Sequence, residues 1–314
     1  MKLSVVIPVY NGAATIARLV EAVSVELENR YELEFVLVND GSPGDNSAEI
    51  CVRLASQNTC VRFLDLSRNF GEHNAVMAGL NYCTGEAAVI IDDDFQNPPT
   101  EITALVEKLA DGYDVVFSRY EKKEHNVFRN LGSRFNNLVA SLLIHKPVDL
   151  YLSSFKAINR FLIDELVRCQ SPYPYIDGLI LRVTRNYATV LCRHQPRNEG
   201  RSGYTLRKLV SLWLNMFTNF SILPLRAATC LGFAIALGGF VATILFVIDK
   251  LLHPEIQAGW ASLMTALLVL SGAQLVAIGM VGEYLGRLFM KDNGQPQFVV
   301  RRKLNCEKRN EPCS

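Results

Sequence analysis

The sequence predicts an α/β domain with a mostly parallel sheet, followed by an interfacial helix and two transmembrane helices. Strand-like apolar runs and helical periodicities alternate over residues 3–117, which is typical of parallel strands joined by helices. Further along, residues 227–248 and 260–282 contain no charged side chain. Each of these segments exceeds the ~20 residues that a helix needs to cross a membrane.

Spacing and turn residues define the elements of the α/β part. Apolar runs predict strands at 3–7, 35–38, 61–64, 87–91 and 115–117. The first helix is indicated by apolar residues at a helical period, namely Ile16, Leu19, Val20, Val23 and Leu27. Further helices are predicted at 47–55, 74–82 and 102–109. Residues 39–44 form a dense turn signal after the second strand.

Composition and missing motifs exclude several classes of protein. The 32 Lys and Arg nearly balance the 31 Asp and Glu, for a net charge of +1, so no nucleic-acid partner is expected. The eight cysteines form no Cys-x-x-Cys pair, which argues against a zinc site or a disulfide framework. Neither the G-x-G-x-x-G fingerprint nor the P-loop pattern occurs. A dinucleotide oxidoreductase and a P-loop nucleotidase are therefore disfavoured.

The end of the fourth predicted strand carries the strongest chemical signal. Asp92, Asp93 and Asp94 follow it directly, and Gln96 comes two residues later. Open α/β sheets bind ligands beyond the carboxyl ends of their strands, and hard divalent cations take carboxylate and amide oxygens together with substrate phosphates. We therefore predict a metal–diphosphate site with Asp92, Asp94 and Gln96 as ligands of Mg²⁺ or Mn²⁺. The alternative is a solvated acidic turn that caps the helix beginning near Thr100.

The two uncharged segments predict a membrane hairpin. Basic residues flank its outer ends, whereas the loop at 249–259 has two acids and one lysine. The positive-inside rule then places the catalytic domain and both termini in the cytoplasm, in a multi-pass protein of the inner (cytoplasmic) membrane. The alternative is a pair of buried core helices. The predicted parts are a catalytic domain at 1–205, interfacial amphipathic helices at 206–225, the hairpin at 226–286 and a cytoplasmic tail at 287–314. For residues 206–225, the alternative is an amphipathic helix packed on the domain.

Several motifs, taken in order, resemble those of family 2 glycosyltransferases. They are VVIPVYN at 5–11, VNDGS at 38–42, SRNFGEHNAVMAG at 67–79 and DDDFQNPP at 92–99. The Gln and the Pro-Pro pair after the acids are similar to the polyprenyl-phosphate sugar transferases. That group includes bactoprenol glucosyltransferases, the undecaprenyl-phosphate aminoarabinose transferase and dolichol-phosphate mannose synthase. Residues 272–287 also resemble the second span of the bacterial members, so the similarity extends to about residue 302.

The resemblance implies a GT-A fold that binds a nucleotide sugar and a divalent metal. It assigns Asp40 to the donor base, with Pro8, Tyr10 and Asn11 lining the nucleotide pocket together with Asp92 and Asp93. The alternative for Asp40 is that it only stabilises a glycine-containing turn. Phosphates of donor and acceptor are assigned to Arg119, Arg129, Ser133, Arg197, Ser202 and Tyr204. For Arg119 and Arg129, a solvated surface position is the alternative.

One stretch departs from the family pattern. Relatives often carry an acid two residues before a basic residue, but here Ser154 precedes Lys156, and Asp149 lies further upstream. Asp149 therefore joins Asp92 and Asp94 as a catalytic candidate. A phosphate monoester acceptor is largely ionised at pH 7, since its second pKa is about 6, so the reaction needs less help from a general base. Residues 151–156 and 173–177 are expected to shape the sugar pocket.

The expected function is inverting transfer of a sugar from a UDP-linked donor to undecaprenyl phosphate, for cell-envelope, O-antigen or lipopolysaccharide modification. The identity of the sugar stays open. Bacterial relatives suggest a homo-oligomer, with a tetramer as a candidate. A processive polysaccharide synthase is disfavoured because the Q-x-x-R-W motif does not occur. The alternative from another class is an inactive scaffold or a partner in lipid-linked-sugar translocation, although the spans carry no buried charge for such a route.

Overall fold

The computed structural model describes residues 1–120, 150–172, 174–193, 223–252, 259–293 and 295–306. The chain forms two compact units. The first consists of Met1–Gly203 with Gln295–Ser314, and the second of Tyr204–Gly294.

The described part of the first unit contains an eight-stranded sheet in the order β7-β5-β6-β4-β1-β2-β3-β8. The strands are β1 (Lys2–Val9), β2 (Glu32–Asn39), β3 (Val61–Leu66), β4 (Ala87–Ile90), β5 (Val115–Tyr120), β6 (Lys156–Asn159), β7 (Tyr187–Cys192) and β8 (Val300–Leu304). The helices of this unit are α1 (Ile16–Leu27), α2 (Ser47–Gln57), α3 (Glu72–Tyr82), α4 (Glu101–Ala110), α5 (Arg160–Val167) and α6 (Ile176–Val183).

The strand directions confirm a mostly parallel sheet. β4, β1, β2 and β3 are mutually parallel, and β5 is parallel to β7. β6 runs antiparallel to both β4 and β5, so these two strands point the same way. β8 is antiparallel to β3 at the far edge. The carboxyl ends of β1 to β5 and β7 therefore face one edge of the sheet.

Apolar side chains cover both faces of the sheet, as the continuous apolar runs predict. α1, α2 and α4 pack on one face through residues such as Leu19, Cys51 and Leu105. α3, α5 and α6 pack on the other. α3 approaches the sheet closely at Gly79, where an added Cβ would lie 2.4 Å from Cγ1 of Val6. The small residue at this position lets the helix sit directly on β1.

The structure confirms all nine elements predicted between residues 3 and 117 and extends most of them by a few residues. It differs from the prediction at the C-terminus. Residues 295–306 are not a separate tail, because β8 pairs with β3 and the segment belongs to the first unit. The basic sequence of β8 suits an edge strand, where charged side chains discourage further pairing.

The described part of the second unit consists of two long helices, α7 (Leu223–Leu252) and α8 (Trp260–Asp292), which contact each other. Large apolar side chains on both are exposed, with Phe233 71% and Leu275 70% accessible. Among the described residues, no helix combines the length and the apolar character of a membrane span. The structure thus does not confirm the predicted pair of spans.

Candidate active site

The turns after β1, β2 and β4 and the segment before β6 meet at the edge where the parallel strands end. β1 and β2 are paired up to Val9 and Asn39, and β4 lies beside β1. β6 begins at this same edge because it runs the other way, and Lys156 pairs with the last residue of β4 and with Phe117 of β5. Polar residues that are distant in the sequence therefore converge here.

The acidic turn after β4 is held in a defined conformation. Oδ1 of Asp94 accepts a hydrogen bond from the backbone N–H of Gln96 at 3.0 Å. Phe95 between them has a φ of 57°, a left-handed conformation that is unusual for an aromatic residue. Asp92 accepts a hydrogen bond at Oδ2 from the hydroxyl of Ser154, at 2.6 Å. Asp92, Asp94 and Gln96 are all half-buried, so their oxygens lie near the surface of the site.

The turn after β1 lies against both neighbouring turns. A Cβ added to Gly12 would lie 1.8 Å from Oδ2 of Asp93, so the turn after β1 passes close to this carboxylate. The N–H of Asn11 donates to the hydroxyl of Ser42 at 3.0 Å, and Oδ1 of Asn11 accepts from the N–H of Gly44 at 3.1 Å. Asn11 itself has a φ of 56°. The turns after β1, β2 and β4 thus form one connected surface.

Asp40 is buried and faces the segment before α3. Its two carboxylate oxygens accept hydrogen bonds from the N–H groups of Phe70 and Gly71, at 2.7 and 2.9 Å. Burial raises the pKa of Asp40, and these two hydrogen bonds oppose the rise. With 3% of its surface exposed, Asp40 has the contacts expected of a turn-stabilising residue. Its assignment to the donor base stays a prediction.

A buried ion pair lies beside the acidic turn. Lys156 donates to Oδ1 of Asp177 at the start of α6, and only 4% and 10% of the two side chains are exposed. This contact joins the two stretches that are predicted to shape the sugar pocket. Nearby, the ring of His73 meets that of Tyr175 edge-on, with centroids 5.2 Å apart. Burial lowers the pKa of His73.

Glu72 adds a further acid to this region. Desolvation of the carboxyl group and then the charge of Asp92 raise the pKa of Glu72 to about 7, although the residue as a whole is exposed. Lys156 opposes the rise, whereas Asp177 and Asp94 add to it. The acids around the turn therefore outnumber the one buried lysine, which favours a cationic or hydrogen-bond-donating ligand.

The donor set of the acidic turn suits a hard divalent cation. Asp92 and Asp94 supply carboxylate oxygens and Gln96 an amide oxygen, which are the ligand types that Mg²⁺ and Mn²⁺ prefer. Within the described ranges, no group of three or more His, Cys, Asp or Glu side chains is arranged to hold a metal ion. Mg²⁺ in proteins commonly takes further oxygens from substrate phosphates and water.

Comparison with known proteins shows the family of the chain. A family model described as Glycosyl transferase family 2 matches residues 4–167. The chain belongs to glycosyltransferase family 2. This glycosyltransferase is 33% identical over 316 residues to undecaprenyl-phosphate 4-deoxy-4-formamido-L-arabinose transferase of Proteus mirabilis (strain HI4320). The match covers 99% of this chain and 96% of the relative. A transferase of the same name from Serratia proteamaculans (strain 568) is 34% identical over 96% of this chain and 93% of its own length.

Solved structures support the fold of this glycosyltransferase. Glucosyl-3-phosphoglycerate synthase from Mycobacterium tuberculosis, in complex with uridine diphosphate, superposes with a TM-score of 0.52 at 20% identity. The match covers 69% of this chain and 78% of that chain. The predicted GT-A fold is confirmed.

The described part of the glycosyltransferase brings one set of predicted site residues to the same edge. This set is Pro8, Tyr10, Asn11, Asp40, Asp92, Asp93, Asp94, Gln96 and Arg119. Arg119 is exposed on β5 and points to the opposite face from Ser118 and Tyr120. The remaining predicted residues lie outside the described residues, namely Arg129, Ser133, Asp149, Arg197, Ser202 and Tyr204. The roles of both sets stay predictions.

The prediction missed three side chains that contact the acidic turn or lie close to it. Tyr120 donates a hydrogen bond to Asn97 at 2.6 Å. Ser154 was predicted as part of the stretch that shapes the sugar pocket, but its hydrogen bond to Asp92 was not predicted. Glu72 carried no signal beyond its place in the 67–79 motif. Such contacts join residues far apart in the chain, so a local pattern does not reveal them.

Proposed function

We propose that this glycosyltransferase moves a sugar from a UDP-linked donor to undecaprenyl phosphate, with inversion at the anomeric carbon. The observation that carries the proposal is the similarity to undecaprenyl-phosphate 4-deoxy-4-formamido-L-arabinose transferases over 99% of the chain. Because it spans both units, the likeness includes the helices that follow the catalytic domain. The product would serve modification of the cell envelope or of lipopolysaccharide.

In this proposal the acidic turn holds the diphosphate of the donor. Asp92, Asp94 and Gln96 would hold Mg²⁺ or Mn²⁺, and Asp93 would add negative charge beside the turn after β1. When bound, the cation neutralises charge that develops on the leaving diphosphate. The half-buried position of these ligands supports this role, because electrostatic interactions strengthen where water is partly excluded.

The acceptor needs little activation by the protein. An oxygen of the lipid phosphate attacks the anomeric carbon, and the bond from that carbon to the diphosphate oxygen breaks. The acceptor is already largely ionised at pH 7, since its second pKa is about 6. A serine at position 154 in place of an acid is compatible with this reaction. Asp149 remains the candidate for a base, and Arg119, Arg129, Ser133, Arg197, Ser202 and Tyr204 are proposed to bind phosphates.

We also propose that α7 and α8 anchor the enzyme in the cytoplasmic membrane, with the catalytic domain in the cytoplasm and with assembly into a homo-oligomer. The two uncharged segments lie within these helices. Exposed side chains such as Phe240 and Leu285 offer apolar surface that lipid would cover. An anchor would keep the active site next to the head group of the acceptor lipid.

The proposal is tested with the purified full chain in detergent. Undecaprenyl phosphate is incubated with a panel of nucleotide sugars that includes UDP-4-deoxy-4-formamido-L-arabinose, in Mn²⁺, Mg²⁺ or EDTA, and label in the organic phase is counted. We expect metal-dependent transfer from one donor. Asp94→Asn should abolish transfer, whereas Asp111→Asn, at an exposed position after α4, should retain it. A protein that binds no nucleotide would contradict the proposal, and one that binds but never transfers would favour a scaffold.

A further inference from the structure

Two separate sets of hydrogen bonds hold the two ends of the acidic turn. At its start, the hydroxyl of Ser154 donates to Oδ2 of Asp92 at 2.6 Å. At its end, the hydroxyl of Tyr120 donates to Oδ1 of Asn97, also at 2.6 Å. Asn97 is buried, with 3% of its surface exposed. The residues between these two anchors include the proposed metal ligands Asp94 and Gln96.

The anchor at Tyr120 is itself fixed by two buried serines. The hydroxyl of Ser118 donates to that of Ser153 at 2.7 Å, and Ser153 lies 2.9 Å from the hydroxyl of Tyr120. The hydroxyl of Tyr120 has one proton, which it donates to Asn97, so Ser153 donates to Tyr120. The hydrogen bonds therefore run in one direction, from Ser118 through Ser153 and Tyr120 to Asn97. The N–H of Phe155 also donates to Ser153 at 3.2 Å. Hydrogen bonds in such a chain polarise and strengthen one another.

We propose that Ser154 and Tyr120 are positioning residues that set the geometry of the acidic turn for metal and diphosphate binding. Ser154 orients the carboxylate of Asp92, and Tyr120 fixes the exit of the turn at Asn97. This inference rests on the proposed function, since it concerns the same metal site. The inference goes beyond the proposed function by assigning a role to two side chains that are not proposed as metal ligands.

The chemistry of position 154 explains why serine suits it. A hydroxyl donates a hydrogen bond to Asp92, whereas an ionised carboxylate accepts only. An acid at this position would place a second negative charge beside Asp92. In this chain the departure from the family pattern therefore exchanges an acid for a donor that fixes a metal ligand.

The decisive variants are Ser154→Ala and Tyr120→Phe, which remove a hydroxyl and little else. Ser154→Thr should restore the first bond, while Ser56→Ala and Tyr113→Phe are matched controls outside the network. Binding of Mn²⁺ to the full chain in detergent is measured by electron paramagnetic resonance in the presence of UDP. Hydrogen exchange of a peptide that covers residues 92–99 is followed without metal.

We expect Ser154→Ala and Tyr120→Phe to weaken Mn²⁺ binding by about 10- to 100-fold, the range that corresponds to one hydrogen bond to a charged group, with Tyr120→Phe at the lower end because its partner is neutral. The 92–99 peptide should exchange faster, while peptides from β1 and β2 stay unchanged. In transfer assays, the metal concentration at half-maximal rate should rise more than kcat falls. Ser154→Thr should bind within about threefold of the wild type.

Two results would overturn the inference. One is unchanged Mn²⁺ binding in both variants, and the other is faster exchange throughout the domain, which indicates a general loss of stability. Failure of the proposed function has a different signature. A wild-type protein that binds no Mn²⁺ in the presence of UDP would refute the metal site and, with it, the positioning role of Ser154 and Tyr120. A wild type that binds Mn²⁺ but transfers no sugar would refute only the reaction, because binding and exchange still test the two anchors.

Discussion

Removing one partner of the Lys156–Asp177 pair should destabilise the catalytic domain more than removing both. Both side chains are almost completely buried. Lys156→Met would leave the Asp177 carboxylate without its cation in a site that already holds the Asp92 carboxylate. Truncating one member of a buried pair costs about 3–5 kcal/mol, whereas replacing both by apolar groups is often neutral. We therefore expect a loss of about 3–5 kcal/mol for Lys156→Met and a smaller loss for Lys156→Met/Asp177→Leu.

The assay is unfolding of the full chain by urea at constant detergent. Both tryptophans lie outside the catalytic domain, so the transition is followed by pulse proteolysis and by hydrogen exchange of peptides from β6 and α6. The exposed pair between Arg30 and Glu107 serves as control, because 55% and 65% of these side chains are accessible. Arg30→Met should cost less than ~1 kcal/mol, as surface pairs do.

The reasoning assumes that desolvation of the two charges nearly cancels their attraction. Leu at position 177 would lie at the start of α6, whose Ile176 and Ile180 belong to the buried apolar cluster. If the double variant loses as much free energy of unfolding as the two single variants together, that assumption is wrong. Additive losses would mean that the two side chains are not coupled to each other, and that each stabilises the domain through other contacts.

Three further outcomes follow from buried contacts. Gly79→Ala should cost about 1–3 kcal/mol in urea unfolding because the new methyl group meets the stiff side chain of Val6; unchanged stability would mean that α3 shifts at little cost. Burial would raise the pKa of Glu34, but hydrogen bonds from Ser4 and Thr84 and the charge of Arg62 outweigh it and hold the pKa below the ordinary 4.5. The stabilising contribution of Glu34 is therefore present above pH 4.5 and is lost as the pH falls through the lowered pKa. Glu34→Gln should therefore cost about 3–5 kcal/mol at pH 7, and this difference should narrow in acid; a pH-independent difference would contradict the linkage. Asp40→Asn should cost about 1–3 kcal/mol, and UDP titration of the folded variant decides between its two roles: unchanged affinity favours the turn, a large loss favours the donor base.

Sequence reasoning located the parallel core because each of its elements has a strong local signal. The strand before Asp92 is a continuous apolar run, and α1 shows a clear helical period. β6 and β8 gave no such signal. β6 has only four residues, and β8 contains three basic residues that were attributed to the flank of a membrane segment. Their pairing depends on distant partners, which local patterns do not specify.

In the candidate site, too, features with a local sequence signal were predicted and contacts between distant residues were not. The strand end that carries the acids was predicted correctly, since parallel strands bring their carboxyl ends to one edge, and the metal-binding role of these acids stays a prediction. The partners of those acids were not predicted. Ser154 reaches Asp92 across 62 residues, and Tyr120 reaches Ser153 across 33. Neither separation follows from a motif, because the register of β6 against its neighbours sets both.

The antiparallel direction of β6 is what completes this site. Its first residue, Lys156, pairs with the last residue of β4 and with Phe117 of β5, so the chain enters β6 at the edge where β4 and β5 end. The residues just before the strand therefore reach the acidic turn, and Ser154 can bond Asp92. A parallel strand in this place would begin at the opposite edge and deliver only its end to the site. The antiparallel direction of β6 thus brings a hydroxyl donor, Ser154, and a cation, Lys156, next to the carboxylates of the acidic turn.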